Sequence, residues 1–137
     1  MTVKEHYEHL QTIFGVANES SCHFLTLCSI AEEATGIWID VVKAMFLLQS
    51  KGLMDSEFYI KDNGCKVLSL LTNGKKWTRK DVEKLPPIRD NDYTEAIYFN
   101  PRTQFKHYRR RYFDTLKDSI TVKEGYIIQY RIYTMQE

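Results

Sequence analysis

Cysteine is scarce in this chain, and the three residues present, at 22, 28 and 65, are an odd set without the paired spacing of a metal motif. That argues against a disulfide framework and a structural zinc site, and it fits free thiols in a reducing compartment. His6 and His9, one helical turn apart on a polar segment, and His23 beside Cys22 do not complete such a motif either, so no metal and no cofactor are expected. Long apolar runs are missing as well: none approaches the roughly 20 residues that span a bilayer. Charge of one sign is not in surplus, because 19 basic residues face 18 acidic ones, a net charge of +1. Nothing global therefore draws the chain to nucleic acid or to an anionic membrane. The opening stretch MTVKEHYEHL is too polar for a secretory signal, which predicts a cytoplasmic protein. Neither an internal repeat nor a low-complexity tract is visible. What is present, 43% hydrophobic and 27% charged residues over 137 positions, predicts one globular domain over 1–137.

Periodicity divides that domain in two. Tyr7, Leu10, Ile13 and Phe14 recur at helical spacing before Gly15. Phe24, Leu27, Cys28, Ala31 and Ala34 do so again, behind Asn18, Glu19, Ser20 and Ser21, which are N-capping residue types, and ahead of Gly36. DVVKAMFLLQSKG predicts a third helix from Asp40 to Gly52, more buried than amphipathic, and Trp38, Cys28 and Cys65 read as buried packing residues. SEFYI (56–60) suggests a short strand, NGCKVLSLLTNG a short helix between two turns, and TRKDVEKLPP a connecting segment. Beyond Tyr93, runs rich in Tyr, Ile, Val, Phe and Thr at 94–99, 104–113 and 119–134 predict strands, the last broken at 123–125. Helices first and strands afterwards give an α+β fold, with N-terminal helices packed on a C-terminal, meandering antiparallel sheet.

One residue raises a chemical question. Cys22 stands in the first turn of the second predicted helix. A thiol there meets unpaired N–H groups and the positive end of the helix dipole, and both favour the nucleophilic thiolate. The plainer reading is a small packing residue. A nucleophilic cysteine needs a base within hydrogen-bond reach, and the base needs a group that orients its ring. His107, on a predicted strand, and Asp114, near the start of the next, are candidates for those two roles.

The order SCHFLTL…AEE at a helix start, NPRT-x-x-x-H-Y on a strand, then YFD…DS-x-TV-x-x-G resembles the papain-like fold in its compact bacterial and phage form. More narrowly, it is similar to a family of small prophage- and plasmid-encoded proteins. The resemblance covers roughly 18–133 and implies a cysteine peptidase or amidase in which Cys22, His107 and Asp114 follow one another in the papain-like order. The family pattern differs at Tyr108, where phenylalanine is usual, at Thr115, where proline is usual, and at the RRR after His107. The glutamine that serves as oxyanion donor in papain-like enzymes has no counterpart just before Cys22, since Gln11 is too far upstream. Asn18 and the Cys22 N–H are its substitutes.

Three functional classes follow. The first is a thiol hydrolase acting on a peptide or amide substrate. The second is an inactive papain-like scaffold, phage- or prophage-encoded, that binds and inhibits a host protein; the aromatic-rich YIIQYRIYTM would supply anchors, unless it is a sheet strand with one solvated face. The third is nucleic-acid binding through KHYRRRYF. Strand alternation would send Arg109 and Arg111 to one face and Arg110 to the other, so a solvated edge strand guarded by charge is the expectation, and nucleic acid is not an expected partner. Trp77 is placed either on a groove or over the core.

Overall fold

A computed structural model of the chain describes residues 19–110 and 123–137. Among the described residues the named elements are three helices followed by four strands: α1 (Glu19–Thr35), α2 (Val41–Ser50), α3 (Cys65–Leu71), β1 (Trp77–Val82), β2 (Asp92–Phe99), β3 (Lys106–Arg109) and β4 (Tyr126–Met135). The fold is α+β. The helix expected around Tyr7 to Phe14 lies outside the described residues.

Local chemistry sets the helix ends. Gly36, at φ 69°, donates its N–H to the Glu32 carbonyl at 2.8 Å and stops α1. Asp40 then caps α2, its Oδ1 accepting from the Val42 and Lys43 N–H groups at 3.1 and 3.2 Å. From Phe24 to Glu32 every residue of α1 is buried, so this helix is the spine of the domain. Phe24, Leu27 and Cys28 meet Val41, Ala44 and Leu48 of α2, Val67 and Leu68 of α3, and Trp77 and Tyr133 of the sheet. At about 1.5–3 kcal/mol for each large apolar side chain taken out of water, this cluster dominates the stability.

Only one stripe of α2 is inward: Val41, Ala44 and Leu48 are buried, while Val42, Phe46 and Leu47 are exposed. The expectation of a mostly buried helix is corrected accordingly. Ten residues offer one apolar face to one neighbour, and the second apolar stripe is left to solvent. Trp38, expected inside, is 62% exposed. It stands in the short link between α1 and α2, which runs over the surface. Residues 56–60 form no strand but a turn closed by a single bridge, Met54 to Ile60.

The sheet is wholly antiparallel, but it is no meander. Its order is β1-β4-β2-β3, so the last strand is inserted between the first two. The segment expected to be a plain connection, TRKDVEKLPP, begins as strand β1, paired from Trp77↔Met135 to Val82↔Tyr130. Its mostly exposed side chains carry no apolar alternation, and an outer strand needs little. Trp77 caps the core: it is buried and donates its Nε1–H to Thr72 Oγ1 at 3.0 Å. The register fixes the two faces. Tyr93, Glu95, Ile97, Tyr108, Arg131 and Tyr133 share the face that meets α1 and α3, while Thr94, Ala96, His107, Arg109 and Ile132 occupy the reverse face and are buried too.

Candidate functional site

Among the described residues strand β3 pairs with β2 alone, and α1 lies along its other side. The Tyr108 N–H donates to Cys22 Sγ at 3.4 Å, and the Tyr108 carbonyl accepts from Thr26 Oγ1 at 3.3 Å. Cys22 and Thr26 are one helical turn apart, so α1 presents both to the same peptide unit. An outer strand edge that would otherwise expose its donors is thereby closed by a thiol and a hydroxyl. Thr26 Oγ1 also donates to the Cys22 carbonyl at 2.9 Å, which binds the pair together.

This contact brings Cys22 beside the residue singled out with it in the sequence. His107 Cα is two bonds from the Tyr108 nitrogen, so the sulfur lies within about 6 Å of it. Both residues are buried, at 4% and 1% exposure. Alternation along β3 turns the Tyr108 ring to the helix face and the His107 ring to the reverse face, with the sulfur at the strand edge between them. Asp114 and Asn18 lie outside the described residues.

Of the arginines after His107, Arg109 and Arg110 are not a solvated guard, and Arg111 lies outside the described residues. Arg109 and Arg110 are both buried, and Arg110 is the largest fully buried side chain of the described residues. Its Nε–H donates to the Thr94 carbonyl at 3.0 Å, Nη1 to Ser29 Oγ at 3.3 Å and Nη2 to Glu33 Oε2 at 2.7 Å. A guanidinium with five fixed donors can be buried because α1 supplies acceptors on successive turns. The expectation of charge held in water is corrected for these two: Arg110 clamps helix to sheet, and Arg109, buried on the reverse face, donates its Nε–H to the Arg110 carbonyl at 3.2 Å.

A second constellation was not foreseen. Glu95 is fully buried at the centre of the helix-facing sheet. His23 Nδ1 lies 2.6 Å from its Oε2, the Tyr133 hydroxyl donates to its Oε1 at 3.0 Å, and Arg131 Nη1 stands 3.7 Å from Oε1. The carboxylate fixes the imidazole proton on Nδ1 in the neutral ring. The His23 ring tilts against Tyr108 with centroids 4.7 Å apart, and the Arg131 guanidinium sits 5.3 Å over the same tyrosine ring. Burial pushes the Tyr133 hydroxyl well above the usual tyrosine range, and the Glu95 carboxylate pushes the same way while Arg131 opposes it. Burial also raises Tyr108. Gly64 makes room for this network. At φ 94°, with a Cβ that would fall 2.9 Å from Tyr133 Cε1, only glycine fits. The sequence signal that was missed is Glu95 itself, a lone carboxylate in phase with Tyr93 and Ile97 in an apolar strand.

Around the partly exposed His23 ring opens a cavity of about 330 Å3, walled by Tyr59, Ile60, Phe105, Lys106 and Tyr108. The remaining thiols are structural. Cys28 is inside the core, where burial and then the Glu32 charge push its titration upward, and Cys65 is half-buried and raised for the same first reason. Among the described residues no cluster of His, Cys, Asp and Glu has the makings of a metal site, and no helix is long and apolar enough to cross a membrane.

Comparison with protein-family models, curated proteins and solved structures gives no match to this chain.

Proposed function

We propose that the chain is a papain-like thiol hydrolase acting in the cytoplasm, a peptidase or amidase in which Cys22 is the nucleophile and His107 the base. The observation that carries this reading is the seating of Cys22 Sγ on the Tyr108 N–H, within about 6 Å of His107 Cα. A helix start and a strand edge then meet at one sulfur, which supports a Cys–His pair by setting the two residues side by side. In the proposed reaction the sulfur attacks a carbonyl carbon, and His107 carries the thiol proton to the leaving amine. The thioester is then hydrolysed by a water that His107 deprotonates. Asp114 is assigned to orient the imidazole, and Asn18 with the Cys22 N–H to the oxyanion. The likeness to small prophage- and plasmid-encoded proteins belongs to the same proposal.

A thiol-directed, acylating activity probe tests it. Labelling is expected at Cys22 in the wild type, read by peptide mass spectrometry, and none is expected in Cys22→Ala. Equal labelling of the two proteins sinks the assignment.

A second reading, an inactive papain-like scaffold that binds a host protein, is favoured by a different observation. Ile37, Trp38, Val42, Phe46 and Leu47 leave large apolar surface exposed on and before α2, beside a cavity of about 590 Å3. This reading expects Trp38→Ser to abolish capture of a defined host partner while Cys22→Ala leaves it intact. The opposite pattern excludes it.

A further inference from the structure

From the His23–Glu95 pair and the cavity beside it, we infer a binding site for a phenolic ring, with the phenol hydroxyl donated to His23 Nε2. Glu95 is fully buried and holds the ring at Nδ1 across 2.6 Å, so the lone pair of the neutral imidazole is on Nε2, at the opposite side of the ring. That ring lines the 330 Å3 cavity. A histidine whose inner nitrogen is fixed by a buried carboxylate is an oriented acceptor, and rings that serve only for packing do not need one.

The walls select the rest of the ligand. Tyr59 and Phe105 are exposed aromatic rings at the cavity, and Tyr108, in contact with His23 and the Arg131 guanidinium, is a third. Three aromatic faces around one small cavity suit a flat ring, offset or edge-on. Lys106 supplies an ammonium that donates to the phenol oxygen while the phenol proton goes to His23. The volume is at the lower end of small-ligand cavities, right for one substituted ring. A phenol satisfies both polar groups with one oxygen, and its unsubstituted counterpart leaves them unmet, which makes the hydroxyl decisive.

The site does not involve the sulfur of Cys22, so it stands or falls apart from the hydrolase reading, and Cys22→Ala is expected to retain it. The test is titration of 15N-labelled protein with p-cresol, and with N-acetyltyrosinamide against N-acetylphenylalaninamide, observed through the histidine ring nitrogens. We expect His23 to show a protonated Nδ1 and a bare Nε2, the Nε2 resonance to move on adding either phenol, and the tyrosine amide to bind at least about tenfold tighter than the phenylalanine amide. Tighter binding of the amide than of p-cresol points to a peptide's tyrosine, and the reverse to a free phenol. Lys106→Ala, on an exposed side chain, should weaken both phenols severalfold without altering the Nδ1 signal. A static Nε2 resonance, or equal affinity for the two amides, overturns the proposal.

Discussion

Arg110 gives the most quantitative check on how helix and sheet are joined. In Arg110→Met the stem stays and its packing with it, but three donated hydrogen bonds are lost: to the Thr94 carbonyl, to Ser29 Oγ and to Glu33. Hydrogen bonds from a charged group contribute about 1.5–3 kcal/mol each. Glu33 is 38% exposed on its side chain, so it rehydrates, and its share falls to the surface range of about 0–1 kcal/mol. Thr94 and Ser29 are buried, and an acceptor left there without its donor costs about 1–3 kcal/mol. Against these losses stands the desolvation of the guanidinium, which the variant no longer bears. The balance is a destabilisation of about 3 kcal/mol, equivalent to a melting temperature lower by about 10 °C in a domain of this size. Urea unfolding followed by tryptophan fluorescence and far-ultraviolet circular dichroism measures it. Glu33→Gln serves as the control and should cost under about 1 kcal/mol. An Arg110→Met variant within about 1 kcal/mol of wild type refutes the reasoning, because burial of the guanidinium would then cancel its bonds.

Gly64→Ala sets a Cβ 2.9 Å from Tyr133 Cε1 in a left-handed backbone conformation, so it should cost about 1–3 kcal/mol in urea unfolding and disturb the Tyr133–Glu95 hydrogen bond; a neutral result contradicts the close approach. Tyr133 keeps its proton in the folded state well above pH 10, the unfolded value, so the folded form binds the extra proton and stability is full below pH 10 and falls as pH rises from there. Unfolding at pH 9 and 11 should show this slope in wild type and a shallower one in Tyr133→Phe, and equal slopes would remove Tyr133 from the account. Cys28, enclosed in the core with its titration raised by burial and by Glu32, should react with a disulfide reagent at pH 8 only after unfolding, and prompt labelling of the native protein counts against that placement.

How legible was this fold? The α1 stripe of Phe24, Leu27, Cys28 and Ala31 could be read because helical period and burial coincide there. β1 could not: it is a mostly solvated outer strand whose place is fixed by main-chain pairing with β4, and main-chain pairing leaves no side-chain pattern. Strand order had the same fate, since β4 enters between β1 and β2 across a separation that no local signal encodes. Trp38 and the outer stripe of α2 were misjudged because hydrophobicity states what a residue tolerates, while exposure depends on whether a neighbour arrives.

The site shows the same division. Cys22 at a helix start was readable from the capping residues, and the hydrogen bond to Tyr108 beside His107 came only with the docking of α1 on β3. The buried Arg109 and Arg110 ran against the usual rule that charge stays in water, because acceptors for Arg110 come from residues 77 to 81 positions away in α1 and from β2. His23 was passed over in the sequence for want of a metal partner. Its real partner, Glu95, is 72 positions away.

The central claim, that Cys22 and His107 form a chemical pair, is most directly tested by the rate of Cys22 alkylation by iodoacetamide at neutral pH, followed by peptide mass spectrometry in wild type and His107→Ala. The account predicts that wild type reacts at least about tenfold faster, as a thiol that hands its proton to an imidazole should, with both proteins confirmed as folded by circular dichroism. Equal rates in two folded proteins would contradict it and leave Cys22 as the residue that closes the edge of β3.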